Sequence, residues 1–144
     1  MKISNKMIDK FKEALSSEGL RFTQQRLNVL SNMMQTSRHR DCEEIYDSLQ
    51  NNRIKVSRAT VYRTLDVLTK HGFIRKLDIG DGSVKYEKKI GSPHHDHMIC
   101  VKTGRIIEFV DDRIEEIQDE IARKKGYKII KHVHQLFVTP LDED

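Results

Sequence analysis

Residues 57–72 read SRATVYRTLDVLTKHG, and the fold turns on this stretch. Val61, Leu65 and Leu68 stand at i, i+4 and i+7, the spacing of one helical face. Ser57 is placed to cap the first turn and Gly72 to close the last. Near the N-terminus the opposite side carries Arg58, Thr60, Tyr62 and Arg63. The predicted helix has an apolar back and a front of hydrogen-bond donors with one aromatic ring.

Working upstream, NNRIKV makes a short link to a predicted helix over 41–50. There Cys42, Ile45, Tyr46 and Leu49 form a core stripe, so Cys42 reads as a small buried hydrophobe rather than a ligand. Thr23 can cap an earlier helix whose apolar face is Leu27, Val29, Leu30, Met33 and Met34. Residues 4–18 predict a first helix through Met7, Ile8, Phe11, Ala14 and Leu15, with Gly19 as its stop. Downstream, FIRKLDI and SVKYEKK flank Gly-Asp-Gly, which reads as a β-hairpin.

Three helices, a turn, a fourth helix and a hairpin follow the order of a winged helix-turn-helix. In such motifs the second helix of the pair enters the major groove, and its first side chains reach base edges. Arginine can bond guanine bidentately, while threonine or an aromatic ring can touch a thymine methyl. A helical protein-interaction domain would share the element order, so charge has to decide. Residues 1–90 carry 18 Lys/Arg against 11 Asp/Glu, a net of +7, and residues 91–144 carry 8 against 11, a net of −3. The basic half suits a polyanion such as double-stranded DNA.

The charge changes sign at IGSP, which predicts a linker at 90–93 between a DNA-binding domain (1–89) and a second domain (94–144). In the second domain HHDHMICVK and RIIEFV read as strands around Thr103-Gly104. Residues 111–125 predict a helix with Ile114, Ile117 and Ile121 on one face, stopped by Gly126. YKIIKHVHQLFV (127–138) alternates as a last strand. The fold class is therefore α+β: a winged helix-turn-helix followed by a small α/β domain. So small a second domain argues for pairing with another copy. The start, MKISNKMIDKFKEAL, has no secretory pattern, and no apolar run approaches the ~20 residues that span a bilayer. A cytoplasmic protein with reduced thiols and no membrane partner is expected.

His94, His95, Asp96 and His97 are consecutive. Strand side chains alternate faces, so His94 and Asp96 point one way and His95 and His97 the other. One strand could then feed two metal sites. Glu108, on the next strand, is a candidate further ligand for one of them. Glu115 and His132 are candidates for the other, and His39 and Glu87 could complete a site from the first domain. Imidazole with carboxylate suits divalent iron, zinc or manganese. His71, at a helix C-terminus, reads as structural. His134, two past His132, remains unassigned.

LRFTQQR, SRATVYRTLDVL, HHDHMIC and GRIIEF, in this order and spacing, resemble the ferric uptake regulator family over nearly the whole chain. The resemblance implies a homodimeric repressor whose metal occupancy controls binding to an A/T-rich, near-palindromic operator. By position it implies a regulatory site of His39, Glu87, His95, His97 and Glu108. It implies a second site of His94, Asp96, Glu115 and His132. Tyr62 and Arg63 match residues facing the major groove, and Arg21 matches one that reaches a narrow minor groove, where negative potential concentrates. Glu108 and Arg63 favour Fe2+-responsive control of iron uptake over peroxide sensing, while Zn2+ and Mn2+ branches stay open. Many members hold a zinc with two Cys-x-x-Cys pairs. Here Cys100 is followed by Thr103, and Cys42 is the one other cysteine. No structural tetrathiolate zinc is expected.

An enzyme is not expected. His-x-Asp-His at 94–97 overlaps a metallohydrolase pattern, but Ser92 stands where that pattern needs its first ligand. A metal-storage module is disfavoured by the basic helix-turn-helix.

Overall fold

A computed structural model describes residues 3–80, 82–91 and 94–142. The chain divides into two compact units, Met1–Ser92 and Pro93–Asp144. Asp81 of the expected Gly-Asp-Gly turn and Ser92 and Pro93 of the expected linker lie outside the described residues.

The first unit holds α1 (Asn5–Ser17), α2 (Gln24–Met34), α3 (Cys42–Asn51), α4 (Arg58–Lys70), β1 (Ile74–Asp78) and β2 (Val84–Lys88). Each helix begins at a short polar residue whose side chain accepts a first-turn backbone N–H, and these are Ser4, Thr23, Asp41 and Ser57. Such caps satisfy donors that have no intrahelical partner. Asp41 and Glu44 form a reciprocal capping box. Gly72, at φ 79°, lets the chain leave α4 in the left-handed region before β1. Phe11, Leu15, Val29, Leu30, Met33, Ile45, Leu49, Val61, Leu65, Leu68 and Phe73 bury together as one core. The helical stripes read from the sequence are the stripes that pack.

Strands β1 and β2 pair antiparallel, with Ile74 opposite Lys88 and Arg75 opposite Glu87. A third piece of backbone joins the hairpin. Arg40 and Tyr86 exchange backbone hydrogen bonds of 3.1 and 2.7 Å. The Arg40 side chain turns into the unit and is buried. Its Nη1 donates to Asn32 Oδ1 at 2.8 Å and its Nη2 to the Asn32 carbonyl at 3.2 Å. Asn32 Nδ2 in turn donates to Ser48 Oγ at 3.0 Å. Burial holds the Arg40 pKa below its ordinary value, the Arg38 charge adds to this and the Glu44 carboxylate opposes it.

The second unit holds β3 (Asp96–Cys100), β4 (Ile106–Phe109), α5 (Asp112–Lys124) and β5 (Gln135–Val138). The sheet order is β4-β3-β5, with β3–β4 antiparallel and β3–β5 parallel. As the central strand, β3 has Asp96, His97, Ile99 and Cys100 buried. The expected last strand over 127–138 is shorter than its alternation suggests. Gln135–Val138 pair with His97–Cys100 on β3, and the His134 carbonyl just before them accepts from His97 N–H at 3.3 Å. Residues 127–134 have no neighbouring ladder, and alternation without a partner does not make a strand. Helix α5 has no buried residue. Its apolar face is in place, but Ile117 is 57% exposed and Ile121 53%.

The Arg40–Asn32 pair yields a stability prediction. Asn32→Leu keeps the volume but removes the acceptor of a buried guanidinium. It should lower unfolding stability by about 2 kcal/mol, seen as a lower urea midpoint at unchanged slope. An unchanged midpoint would show that Arg40 finds equal solvation elsewhere.

Candidate metal centre and nucleic-acid face

The exposed front of α4 carries the four side chains expected there. Val61, Leu65 and Leu68 are fully buried on its back, which fixes the helix rotation. Tyr62 is consequently 49% exposed, and Arg58 and Arg63 are exposed beside it. Thr60 is half-buried, and its Oγ1 accepts a hydrogen bond from the capping Ser57 hydroxyl at 3.0 Å. Arg21 is exposed in the loop before α2.

Arg58 is held in a way its position in the sequence does not reveal. Its Nε lies 2.8 Å from Glu43 Oε1 and its Nη2 lies 3.4 Å from Glu43 Oε2. The guanidinium also sits 4.4 Å above the Tyr46 ring centre, a cation–π distance. The Glu43 carboxylate raises the Arg58 pKa further. Cys42 is buried beneath this region, and burial pushes its thiol pKa up, with Tyr62 as the opposing neighbour. Such a thiol suits packing rather than thiolate ligation.

In the same unit, the Arg40–Tyr86 bridge places the preceding His39 against the following Glu87. His39 Nε2 is 2.7 Å from Glu87 Oε2. Glu87 is only 2% exposed, and Arg75 Nη1, from the facing strand, stands 3.4 Å from its other oxygen. A buried carboxylate needs such cationic or donor company. No motif in the sequence singles out Arg75. Its signal lies in the hairpin register, which sets it opposite Glu87.

In the second unit the strand alternation sorts the histidine run into two groups. His95 and His97 share one face with ring centres 4.7 Å apart. Glu108 stands opposite His97 in the register, and its Oε1 is 3.2 Å from His95 Nε2. These three residues offer ligand atoms within 4.8 Å of one another.

His94 and Asp96 join residues that arrive from α5 and from the segment before β5. His132 Nε2 lies 2.9 Å from both His94 Nε2 and Asp96 Oδ1. His132 Nδ1 lies 3.4 Å from Glu115 Oε2, and His94 Nε2 lies 3.9 Å from Glu115 Oε1. Asp96 is 2% exposed. Tetrahedral ligands at 2.0–2.1 Å from zinc stand about 3.3 Å apart, so these spacings fit one small divalent ion. Two imidazoles with two carboxylates also match the donor set of iron, manganese and zinc. His134 lies at the margin, with Nδ1 3.9 Å from Asp96 Oδ2 and its ring edge-on to Phe109. His71 is elsewhere: it ends α4 and bonds Glu18 at 3.0 Å.

No helix among the described residues is long and apolar enough to cross a membrane. Residues 17–137 match the family model described as "Ferric uptake regulator family". The chain is 36% identical over 132 residues to the ferric uptake regulation protein of Rhizobium leguminosarum bv. viciae, covering 92% of each chain. The solved structure of the Helicobacter pylori ferric uptake regulator, described as having three functional metal binding sites, superposes with a TM-score of 0.85 at 32% identity. It covers 98% of this chain and 93% of that one. The Pseudomonas aeruginosa ferric uptake regulator, solved with manganese, superposes with a TM-score of 0.78 at 32% identity, covering 91% and 98%. By the family model and by these relatives, the chain belongs to the ferric uptake regulator family of dimeric, metal-responsive, DNA-binding transcriptional repressors, which are not enzymes.

Proposed function

We propose that this regulator represses iron-uptake genes in the cytoplasm in response to ferrous iron, by binding A/T-rich, near-palindromic operators. One observation carries the reading. Each unit presents part of a ligand set: His39 with Glu87 in the winged-helix unit, and His95, His97 and Glu108 in the other. In this reading the two parts close on one regulatory ion. A divalent ion held there supplies the positive charge that lets two carboxylates and three imidazoles converge. His94, Asp96, Glu115 and His132 form a second site, which orders the loop before β5.

The chain's own residues then perform the switching. His39 and Glu87 hold the side that carries α4, while His95, His97 and Glu108 hold the side that makes the dimer. Engaging both sets fixes the separation of the two α4 helices to that of two half-sites. Metal affinity for the closed state alone sets how far the population shifts. Tyr62 and Arg63 read the major groove, Thr60 and Arg58 border it, and Arg21 reaches the minor groove. With cysteines only at Cys42 and Cys100, apolar packing rather than a tetrathiolate zinc holds the dimer. Ile106, Ile107, Phe109, Ile129, Leu136 and Val138 contribute to that packing. Iron is favoured as the effector because the Rhizobium relative at 36% identity carries the name ferric uptake regulation protein.

The test is anaerobic fluorescence anisotropy on a labelled palindromic duplex, titrating ferrous iron, manganese and zinc separately at fixed salt. Glu87→Ala and His97→Ala should each lose at least about ten-fold of the metal-dependent gain in affinity, within the usual range of coupling energies. Their metal-free affinity should stay close to wild type. Equal metal-dependent affinity in both variants and wild type would remove the regulatory site, and a gain with zinc alone would remove iron.

The Arg58–Glu43 pair gives a separate expectation. Glu43 competes with DNA phosphate for the same guanidinium, and surface pairs of this kind are weak. Glu43→Gln should raise operator affinity about two- to five-fold at low salt, with the gain fading at high salt. Unchanged affinity across the salt series would mean that Arg58 does not approach the DNA.

A further inference from the structure

Between the loop before α2 and the loop before α4 lies an open cavity of about 690 Å3. Arg21, Arg26 and Lys55 line it, together with the hydroxyl-bearing Thr23, Ser57 and Thr60. No Asp or Glu stands among the described residues of its wall. Elsewhere in this unit cations meet carboxylates: Arg58 meets Glu43, Lys70 meets Glu18, Arg75 meets Glu87 and Lys85 meets Glu44. Three cations around one concavity with no acid in its wall concentrate positive potential and attract an anion.

The geometry favours a fixed seat over a diffuse patch. Arg26 Nη1 donates to the Arg21 carbonyl at 2.6 Å, which holds the guanidinium at the wall. The first turns of α2 and α4 add partial positive charge, but Thr23 and Ser57 already cap them, so the three cations set the sign. Thr60 belongs both to this wall and to the front of α4. The cavity therefore borders the helix that reads the groove.

We propose that this cavity seats a phosphate of the operator backbone, gripped by Lys55 and Arg26, on the strand bordering the groove that α4 enters. The proposal rests on the DNA-reading role of α4 and adds to it a contact that fixes register without reading sequence. Phosphate contacts position a protein, whereas base contacts specify. Arg26 and Lys55 are thus separated in role from Tyr62, which faces the bases.

The experiment uses the full-length, manganese-loaded protein, with affinity measured from 50 to 200 mM salt on an operator duplex and on a scrambled duplex of equal length. Each phosphate contact contributes about 0.9 to the slope of log affinity against log salt. Lys55 is exposed, so Lys55→Gln should leave the fold and metal binding intact. The slope should fall by about two for a dimer, with binding on the order of fifty-fold weaker near 100 mM on both duplexes. Lys55→Arg should restore it. Tyr62→Ala should instead keep the slope and lose the preference for operator. An unchanged slope in Lys55→Gln, or a loss confined to the operator duplex, would overturn the phosphate seat while leaving the DNA-reading role intact. Wild-type protein that binds neither duplex at any salt would overturn both.

Discussion

A carboxylate cannot stay ionised away from water without cations or donors around it, and this chain buries one in each unit. Glu87 lies against His39 and Arg75, and Asp96 lies against His94 and His132. Both sit on strands, where side-chain direction is set by the ladder. The surrounding imidazoles therefore owe their placement to backbone pairing: His39 to the Arg40–Tyr86 bridge, His94 to the start of β3, and His132 to the run into β5. A flexible surface patch of histidines would not require buried acid at its centre. The clusters of imidazoles and carboxylates are part of how each unit satisfies its interior.

The winged-helix unit divides its polar residues by burial. On the back of α4 nothing polar is tolerated except Thr64, whose hydroxyl donates to the Thr60 carbonyl at 2.6 Å. Arg40 is also buried in the interior, where Asn32 answers it and Ser48 in turn answers Asn32. The front keeps its cations at different degrees of restraint. Arg58 is pinned by Glu43 and stacked on Tyr46, whereas no carboxylate among the described residues pairs with Arg63 or Lys55. A surface that carries one restrained cation beside two unrestrained ones can separate steering by charge from selection by contact.

The second unit is incomplete as a monomer. Its helix buries no residue, and Leu136 and Phe137 on β5 are exposed. Apolar surface of this kind marks an interaction face, consistent with a family that acts as dimers. The same feature explains why the isoleucines of α5 show a clear helical period in the sequence but are not buried in one chain.

Much of this molecule is legible in its residues alone. The four helices of the first unit, their caps at Thr23 and Ser57, the hairpin and the central strand follow from periods of 3.6 and 2, because burying one face of an element is a local constraint. The period of two also splits His94 and Asp96 from His95 and His97. Tertiary structure alone decided three things. It truncated the last strand to Gln135–Val138, since a strand exists only where a neighbour supplies the ladder. It tied Arg58 to Glu43 across fifteen residues of sequence, since ion pairs form by proximity rather than by pattern. It gathered Arg21, Arg26 and Lys55 around one cavity, since the packing of α2 against α4 sets which loops meet, and no local rule encodes that meeting.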